Sequence, residues 1–577
     1  MGYMEVYNEW LNNAYFDEST REELKEIKNN KEEIEDRFYK ELEFGTAGLR
    51  GKIAAGTNRM NLYIIRRATQ GLAYYIKDLG EDYIKRGVAI AYDCRHFSKE
   101  FAKNAALVLA ANGIKAYLFE DLRPTPELSY TVIKLKTAAG IVVTASHNPK
   151  EYNGYKVYGE NGAQILSDAA EAITEKISSI KRFEDVKIIS EEEAKSNNLL
   201  EILGKEIDDQ YMEKVKALSI RNSKEELDKD IKVVYTPLNG TGNIPVRRIL
   251  KERGFNNIEV VKEQENPDGD FPTIEYPNPE DIRAFEYSKK LGKKIGAEIL
   301  IATDPDCDRL ALMVRDKNGE YVSFNGNQTG AILIKYILEG RKEKGILSEK
   351  GILVKSIVTG DLGKVIAKNV GVKTFECLTG FKNICGTAVE LEKTKGYKFE
   401  FGYEESIGYT TGDFVRDKDG VISSMFLCEA AAYYKKQGKT LLDVLNDIFK
   451  EYGYYKEHLT SIVLEGIEGS KRIKRMMESY RKDYPKAILE SKLVKYIDYR
   501  EGTELNLETS ESSKTSIPKS NVLKFIFDDN SWYALRPSGT EPKIKLYIYV
   551  NNKNENKAVE KLEAFKDTIS KILNSIE

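Results

Sequence analysis

Short β-type runs alternate with helical stretches along most of this chain. "GVAIAYD" (87–93) is followed by the helical stretch "SKEFAKNAALVLAANG" (98–113) and then by another apolar run at 114–119. The alternation restarts at 231–240 and at 350–360. Strand, helix, strand order is typical of crossover units, and 577 residues exceed what one core usually holds. The pattern therefore predicts three tandem α/β domains with mixed sheets.

The two ends of the chain differ from this pattern. Residues 1–40 are rich in Glu and Lys and carry apolar residues at helical spacing, which predicts a helical N-terminal extension. Residues 521–550 are strand-like and precede an amphipathic helix, which predicts a smaller C-terminal α+β domain. We expect the boundaries to be 1–40 for the extension and 41–205, 206–320, 321–452 and 453–577 for the four domains.

The charge and the cysteine content narrow the class of protein. Lys and Arg number 89 against 92 Asp and Glu, so no basic excess indicates a nucleic-acid partner. The sequence has neither a long apolar run nor a signal-like N-terminus, and we therefore expect no membrane partner. Five cysteines without CxxC pairs favour reduced thiols over disulfides or zinc, and hence a cytoplasmic protein. Whether it is a monomer or a homodimer stays open.

The first candidate site is "TASHNPKEYNGYK", which follows an apolar strand. Ser146 and His147 should emerge at the carboxyl end of that strand, where open α/β sheets place their sites. His147 and Asn148 could hold an anion on the Ser146 oxygen, and Lys156 adds a titratable amine. No G-x-S-x-G elbow presents this serine as a hydrolase nucleophile, and an ordinary turn is the alternative interpretation.

The second candidate site, "ATDPDCDR", carries Asp304, Asp306 and Asp308 after another apolar run. If Pro305 keeps the segment extended, these alternate side chains share one face and converge. Three converging carboxylates repel one another unless a cation lies among them, and oxygen ligands suit Mg²⁺ or Ca²⁺. A calcium EF-hand is excluded because Arg309 occupies the position of its required glycine. A solvated acidic turn is the alternative.

The third candidate site, "GYEESIGY", places paired carboxylates and a serine between glycines. Glycines let a loop backbone approach a ligand closely, and Glu404 with Ser406 could hold vicinal sugar hydroxyls. When this segment is taken alone, a turn with solvated acids is the more common explanation.

The fourth candidate site, "RPSGTEPK", lies between two strand-like runs. Arg536 offers a bidentate fork, and Ser538, Gly539 and Thr540 offer hydroxyls and consecutive backbone N–H groups for an anion. The spacing is not that of a Walker A loop, and a plain β-turn is the alternative.

Together and in this order, the four segments resemble the α-D-phosphohexomutase family. "FGTAGLRG", "TPLNGTG" and "PDGDFPTIEYPNPE" add to the resemblance, which spans about residues 41–577. Within the family, the length, the wording of "GYEESIGY" and the N-terminal extension are most similar to bacterial members related to animal phosphoglucomutase-2 and glucose-1,6-bisphosphate synthase. The resemblance implies four domains around a central cleft, each giving one loop.

The resemblance also implies roles for individual residues. Ser146 would carry the phosphoryl group, with His147, Lys156 and Arg50 beside it and Lys156 as a general acid/base. One Mg²⁺ per chain would be shared by the phosphate on Ser146 and the three aspartates. The implied substrate-binding residues are Arg309, Thr379, Gly380, Glu404, Ser406, Arg536, Ser538, Gly539 and Thr540. Family members of dual specificity have a histidine at the end of the sugar loop that this sequence lacks, so the second acid/base is unassigned.

The implied reaction interconverts glucose 1-phosphate and glucose 6-phosphate through a phosphoserine, with glucose 1,6-bisphosphate as intermediate and activator. Phosphomannomutase, phosphopentomutase and sugar-bisphosphate synthase activities remain open within the family. An aspartyl-phosphate phosphatase is a rival of another class, but Asp308 stands where its motif usually has Thr or Val, and "TASHNP" and "RPSGTEPK" would have no role. Nothing in the sequence supports an inert sugar-phosphate-binding protein.

Overall fold

The N-terminal segment folds into helices that pack on the first domain. The computed structural model describes residues 2–45, 48–464, 466–538 and 542–577. The first helices are α1 (Tyr3–Asn12), α2 (Glu18–Glu26) and α3 (Lys31–Phe38). Asp17 and Asn30 cap α2 and α3, and Trp10 and Phe38 are buried against Tyr63 of the first domain. Residues 3–38 are therefore mostly helical.

The first domain contains a six-stranded sheet of order β1-β5-β4-β2-β3-β6. Its strands are β1 (Leu49–Lys52), β2 (Val88–Tyr92), β3 (Ala116–Phe119), β4 (Ala139–Val143), β5 (Tyr152–Gly159) and β6 (Leu200–Leu203). Its helices are α4 (Leu62–Leu79), α5 (Glu81–Arg86), α6 (Ser98–Ala111), α7 (Thr125–Leu135), α8 (Ser167–Ser179) and α9 (Glu191–Ser196). Strands β4, β2, β3 and β6 are parallel, β5 is antiparallel to β4, and β1 is antiparallel to β5. Every residue of β2 and β4 is buried, as expected of parallel strands covered on both faces.

The second domain repeats this plan on five strands of order β11-β10-β9-β7-β8. Its elements are α10 (Lys205–Ala217), β7 (Val233–Thr236), α11 (Asn243–Glu252), β8 (Ile258–Val260), α12 (Glu286–Ile295), β9 (Ile299–Thr303), β10 (Leu310–Arg315) and β11 (Tyr321–Phe324). Short 3₁₀ helices of this domain lie at Lys262–Gln264 and Ile282–Phe285, and another, at Phe183–Asp185, belongs to the first domain. The strands β8, β7 and β9 are parallel, β10 is antiparallel to β9, and β11 is antiparallel to β10.

The third domain has four strands of order β13-β12-β14-β15, of which only β15 is antiparallel to its neighbour. Its elements are α13 (Gly326–Glu343), β12 (Gly351–Ser356), α14 (Leu362–Asn369), β13 (Lys373–Cys377), α15 (Phe381–Lys395), β14 (Lys398–Glu404), β15 (Gly408–Thr410), α16 (Gly420–Lys436) and α17 (Leu441–Tyr452). One continuous cluster of buried apolar side chains runs from the second sheet into this domain, so the two domains share a core.

The fourth domain is an antiparallel sheet of order β16-β23-β22-β21-β18-β19-β20, with β17 paired to β18. Its elements are β16 (Tyr454–Val463), α18 (Gly466–Lys482), β17 (Ala487–Ile488), β18 (Ser491–Asp498), β19 (Thr503–Asn506), β20 (Ser512–Lys514), β21 (Leu523–Phe527), β22 (Trp532–Pro537), β23 (Lys543–Asn552) and α19 (Glu555–Ser575). Three mixed α/β domains followed by a smaller α+β domain confirm the predicted fold class. Among the described helices, none has both the length and the apolar character that crossing a bilayer requires.

Candidate functional site

Ser146 lies in the loop that follows β4, in a backbone conformation that serine rarely adopts. Its φ angle is 51°, in the left-handed region, which costs about 1–3 kcal/mol for a residue other than glycine. The side chain is buried, and its Oγ donates a hydrogen bond of 2.9 Å to Oδ2 of Asp304. The Oγ also lies 3.2 Å from Nδ1 of His147. The loop thus delivers the serine oxygen to a carboxylate of the second domain.

Arg95 holds this loop in place, and the sequence analysis missed it. One guanidinium nitrogen donates to the carbonyl of Ser146 at 2.6 Å, and the other to the carbonyls of Pro149 and Tyr152 at 2.8 and 3.1 Å. The guanidinium also lies 5.0 Å from the ring centre of Phe271, in "PDGDFPTIEYPNPE" of the second domain. The signal was available, because Arg95 follows the end of β2, the parallel neighbour of β4.

The three aspartates of the second candidate site converge as predicted. Asp304, Asp306 and Asp308 are fully buried, and one oxygen of each lies within 4.8 Å of the others. The predicted extended backbone is wrong, however. Cys307 has a φ of 53°, and its N–H donates to the Asp304 carbonyl at 2.8 Å, so the segment is a tight turn. The turn also brings the N–H groups of Asp308 and Arg309 to Oδ1 of Asp304, at 3.1 and 3.0 Å.

Two lysines from other domains bind this cluster. Lys156 Nζ lies 2.8 Å from Oδ2 of Asp306, and Lys418 Nζ lies 2.9 Å from Oδ2 of Asp308. Lys418 was missed by the sequence analysis, because it lies far along the chain in the third domain. Burial opposes ionisation, but the ammonium of Lys156 nevertheless holds the pKa of Asp306 below its usual value. Burial and the two neighbouring carboxylates raise the pKa of Asp304 well above its usual value.

The cluster has the features of a cation site. The Oδ1 atoms of Asp306 and Asp308 are buried and have no hydrogen-bond partner among the described residues. Buried carboxylate oxygens are costly unless a proton donor or a cation satisfies them. An all-oxygen donor set of this kind suits a hard divalent cation such as Mg²⁺. The residues present therefore fit the predicted metal.

Arginines line the approach to Ser146. Arg50, on β1, donates from Nη1 to Oδ1 of Asn148 at 3.3 Å. Arg309 places its Nε 4.0 Å from Oδ2 of Asp304 and 3.9 Å from Oδ1 of Asp308. Burial and these two guanidinium groups lower the pKa of His147 well below its usual value, so its imidazole is neutral near pH 7. The positive charge at this site comes from arginine and lysine rather than from histidine.

Glu404, at the end of β14, meets the predicted sugar-facing loop. The N–H of Gly380 donates to Oε1 of Glu404 at 2.6 Å, which also brings Thr379 to this position. Burial and the neighbouring Glu405 raise the pKa of Glu404 to about 7. Ser406 is half-buried in the turn between β14 and β15.

A backbone contact joins the sugar loop (residues 402–409) to the metal loop (residues 302–309). The carbonyl of Ile407 accepts a hydrogen bond of 3.0 Å from the N–H of Leu310, at the start of β10. Lys382, on the first turn of α15, was missed by the sequence analysis, and burial lowers the pKa of its amine to about 8.

The predicted phosphate loop lies on the fourth sheet. Arg536 on β22 is paired directly with Lys545 on β23, and both are half-buried. Like charges at paired positions of a sheet repel one another, so an anion between them would be stabilising. Burial and Arg536 lower the pKa of Lys545, another residue that the sequence analysis missed.

The remaining residues of that segment are described only in part. The N–H of Ser538 donates to the Lys543 carbonyl at 2.8 Å, whereas Gly539 and Thr540 lie outside the described residues. Burial and the carboxylate of Glu405 raise the pKa of Tyr547, on β23, to about 12. The face of the fourth sheet that carries Arg536 is therefore close to the sugar loop.

Comparisons with known proteins agree with this arrangement. Three family models match, described as phosphoglucomutase/phosphomannomutase alpha/beta/alpha domains I, II and III, over residues 41–184, 209–319 and 325–452. The phosphoglucomutase of Staphylococcus haemolyticus is 38% identical over 519 residues, covering 90% of this chain and 92% of the relative. That of Staphylococcus epidermidis is 38% identical over 545 residues, covering 94% and 96%.

Solved structures share the fold. A putative phosphomannomutase from Thermus thermophilus superposes with a TM-score of 0.67 at 22% identity, covering 92% of this chain and 99% of that one. The open form of pp63/parafusin, a Paramecium phosphoglucomutase, gives a TM-score of 0.68 at 18% identity, covering 92% and 95%. At these identities the likeness concerns the four-domain architecture.

Proposed function

Because this chain belongs to the phosphoglucomutase/phosphomannomutase family, we propose that it interconverts glucose 1-phosphate and glucose 6-phosphate through a phosphoryl group carried on Ser146. It is an enzyme of the isomerase class, an intramolecular phosphotransferase. The observation that carries the proposed mechanism is the approach of the Ser146 Oγ to Asp304, 2.9 Å away in a buried cluster of carboxylates. The glucose assignment is supported by the relatives at 38% identity, which are named phosphoglucomutases.

The reaction requires two transfers. In the first, the Oγ–P bond of phospho-Ser146 breaks as the free sugar hydroxyl bonds to phosphorus and gives up its proton. The product, glucose 1,6-bisphosphate, turns end over end. The bond between the sugar oxygen and the phosphate that the substrate brought then breaks as the Ser146 Oγ bonds to that phosphorus, and the sugar oxygen takes up a proton, which regenerates phospho-Ser146. The free bisphosphate also activates the enzyme by phosphorylating Ser146.

We assign the proton transfers to two lysines. Lys156 contacts the cluster at Asp306. Lys382 follows by two residues the Gly380 whose N–H binds Glu404, and it is our candidate for the second acid/base that the sequence left open. Burial lowers the pKa of its amine to about 8, a value that suits proton transfer at neutral pH. Arg50 and His147 complete the phosphoryl-transfer site beside Ser146.

Asp304, Asp306 and Asp308 would hold one Mg²⁺ together with the phosphate on Ser146. Bound there, the ion neutralises charge on the phosphoryl group as it transfers. The unpartnered Oδ1 atoms of Asp306 and Asp308 support this assignment. We expect excess chelator to abolish turnover and Mg²⁺ to restore it, and Asp306→Asn to weaken Mg²⁺ binding in calorimetry. Full turnover in excess chelator would refute the assignment.

The other loops bind the substrate. Glu404 and Ser406, with Thr379 and Gly380, hold the sugar hydroxyls O3 and O4, and Arg309 at the end of the metal loop adds positive charge that acts on Glu404. Arg536, Ser538, Gly539 and Thr540 hold the phosphate that is not transferred, and Lys545 adds charge to that clamp. These contacts with O3, O4 and the phosphate that is not transferred are compatible with both orientations of the bisphosphate. We keep the domain boundaries 41–205, 206–320, 321–452 and 453–577 and the cytoplasmic location as parts of this proposal.

A coupled assay with saturating glucose 1,6-bisphosphate tests the substrate. We expect kcat/KM for glucose 1-phosphate to exceed that for mannose 1-phosphate and ribose 1-phosphate by tenfold or more, about 1.4 kcal/mol in transition-state binding. A higher value for mannose or ribose would replace the glucose assignment. Phosphosite mapping tests the mechanism separately, because a labile phosphate on Asp304 instead of Ser146 would indicate a phosphatase.

A further inference from the structure

A cavity of about 480 Å³ lies between the first and second domains, outside the site described above. It is bounded by the start of α7, by α10 and by α11, and it has the size of an ordinary small-molecule site. Its walls mix apolar residues with polar and charged ones, and the apolar ones are Leu122, Pro124, Met212, Ile244 and Pro245. Ile244 is 71% exposed, an unusual position for an isoleucine unless something covers it. None of these residues has a role in the proposed mutase reaction.

Two buried polar side chains that line this cavity are unsatisfied. Oε1 of Glu127 and Oγ1 of Thr241 have no hydrogen-bond partner among the described residues, and each residue is only 2% exposed. Buried polar groups normally have a partner, because leaving one unpaired costs about 1–3 kcal/mol. Both groups therefore point to a missing ligand.

Carboxylates outnumber cations around the cavity, which favours a cationic ligand. The charged lining residues are the acids Glu120, Asp121, Glu127 and Asp208 and the bases Lys99, Arg123 and Arg248. Arg123 attracts the Glu127 carboxylate, but it is engaged in two hydrogen bonds to Asp208, of 2.7 and 3.0 Å. Arg248 is likewise paired with Asp209 at 2.7 Å and with Glu252 at 2.8 Å. Burial and the nearby Asp208 raise the pKa of Glu127 well above its usual value, and the attraction of Arg123 does not offset them.

The cavity is joined to the back of the metal loop by hydrogen bonds. Thr125, beside the lining residue Pro124, donates from its N–H to the Asp306 carbonyl at 2.9 Å and from Oγ1 to the Asp306 carboxylate at 3.0 Å. Thr241 donates from its N–H to the Pro305 carbonyl at 2.8 Å. A ligand that moves either wall would displace the carboxylate of Asp306.

We propose that this cavity is an effector site for a small ligand with a protonated amine on an apolar body, bound through Glu127 and coupled to the metal loop through Thr125 and Thr241. The ammonium group replaces the missing partner of Glu127 and offsets its repulsion with Asp208. The apolar body packs on Met212 and Ile244. This inference adds a site to the proposed function and does not depend on turnover.

The test uses benzylamine, with benzyl alcohol and benzoate as neutral and anionic matches of similar shape. Calorimetry and ligand-observed NMR should show benzylamine binding at least about tenfold more tightly than benzyl alcohol, and benzoate binding most weakly. In Glu127→Gln, the affinity for benzylamine should fall to that for benzyl alcohol. The exposed control variant Glu171→Gln on α8 should bind benzylamine as tightly as the wild type. Equal binding of the three probes, or benzylamine binding that survives in Glu127→Gln, overturns the proposal.

Two further measurements complete the test. If Glu127→Gln does not fold, Met212→Trp fills the cavity and should abolish benzylamine binding instead. The Mg²⁺ dissociation constant should shift when benzylamine is present in the wild type and stay constant in Glu127→Gln, and an unchanged constant in the wild type refutes the coupling. Ser146→Ala should still bind benzylamine, so loss of the mutase reaction and loss of this site are distinguishable.

Discussion

Ser146 combines backbone strain with a buried oxygen, which is the combination expected of a group held for reaction. Its φ of 51° is maintained by Arg95, whose guanidinium binds carbonyls on either side of the turn. Strain of this kind persists only where surrounding contacts enforce it. The serine oxygen is therefore positioned before any substrate arrives.

At this residue, Ser146→Ala should remove nearly all turnover with glucose 1-phosphate while the fold persists, because alanine cannot carry a phosphoryl group. Steady-state kinetics and intact-mass analysis check both parts, with the exposed Ser167→Ala on α8 as a matched control. Retention of more than about a tenth of the turnover, a barrier change below about 1.4 kcal/mol, would contradict covalent transfer.

The raised pKa of Glu404 predicts that the KM for glucose 1-phosphate depends on pH. With a pKa of about 7, it is protonated at pH 6 and ionised at pH 8. The neutral acid accepts hydrogen bonds from sugar hydroxyls less strongly, so the KM for glucose 1-phosphate should rise as the pH falls through 7. Because the pKa is raised on folding, ionising Glu404 opposes folding, and its contribution to stability is lost as the pH rises through 7.

The Glu404→Gln variant isolates this effect. The substrate phosphate titrates identically for both proteins, so the ratio of the two KM values between pH 6 and 8 reports on Glu404 alone. We expect the ratio of variant to wild-type KM to be largest at pH 8 and to approach one at pH 6. A ratio that does not change with pH would mean that Glu404 does not bind the sugar as a carboxylate.

At the scale of elements, the apolar runs were sufficient to predict β4 and β9, whereas the strand β14 was not predicted. β4 ends three residues before Ser146, β9 ends directly before Asp304, and β14 ends at Glu404, so the site lies at the carboxyl ends of these strands. The turn at Cys307 was not predictable in the same way, since non-glycine residues rarely adopt positive φ. Lys418 was missed because its ion pair with Asp308 depends on how two domains pack, which no local pattern encodes.

The loop "TPLNGTG" packs against the metal loop, and substituting Gly240 tests whether this packing positions the aspartates. A methyl group on Gly240 would lie 2.4 Å from the Cα of Pro305, so Gly240→Ala must push the turn that carries the aspartates. We expect Mg²⁺ affinity in calorimetry to fall by about tenfold or more and stability by about 1–3 kcal/mol.

Gly386 on α15 offers the matched control, since a methyl group there meets nothing within 4 Å. Gly386→Ala should keep Mg²⁺ affinity and gain about 0.5–1 kcal/mol of stability from the helix. Equal Mg²⁺ affinity in the two variants would show that the packing of Gly240 on Pro305 does not position the metal ligands.

At the scale of the whole molecule, the fourth domain docks on the third through buried polar contacts. The indole N–H of Trp532 donates to Oδ2 of Asp361 at 2.8 Å, and Oδ1 of Asp361 lies 3.1 Å from the fully buried Lys355. Lys524 of the fourth sheet donates to the Ile357 carbonyl at 2.6 Å. Trp532 and Arg536 lie on the same strand, β22, so these contacts set the position of the phosphate clamp relative to the metal loop.

Trp532→Phe should therefore affect substrate binding from a residue that touches no substrate. Phenylalanine keeps the ring but removes the donor to Asp361, and the loss of a hydrogen bond to a charged group costs about 1.5–3 kcal/mol. We expect the KM for glucose 1-phosphate to rise severalfold, with a smaller fall in kcat, because Arg536 is then held less firmly in its position relative to the third domain. Trp10→Phe, at an equally buried tryptophan in the N-terminal helices, should lose stability without a change in KM. Steady-state kinetics and thermal unfolding of both variants decide the matter: the same KM in both would mean that Arg536 is positioned independently of the contact between Trp532 and Asp361.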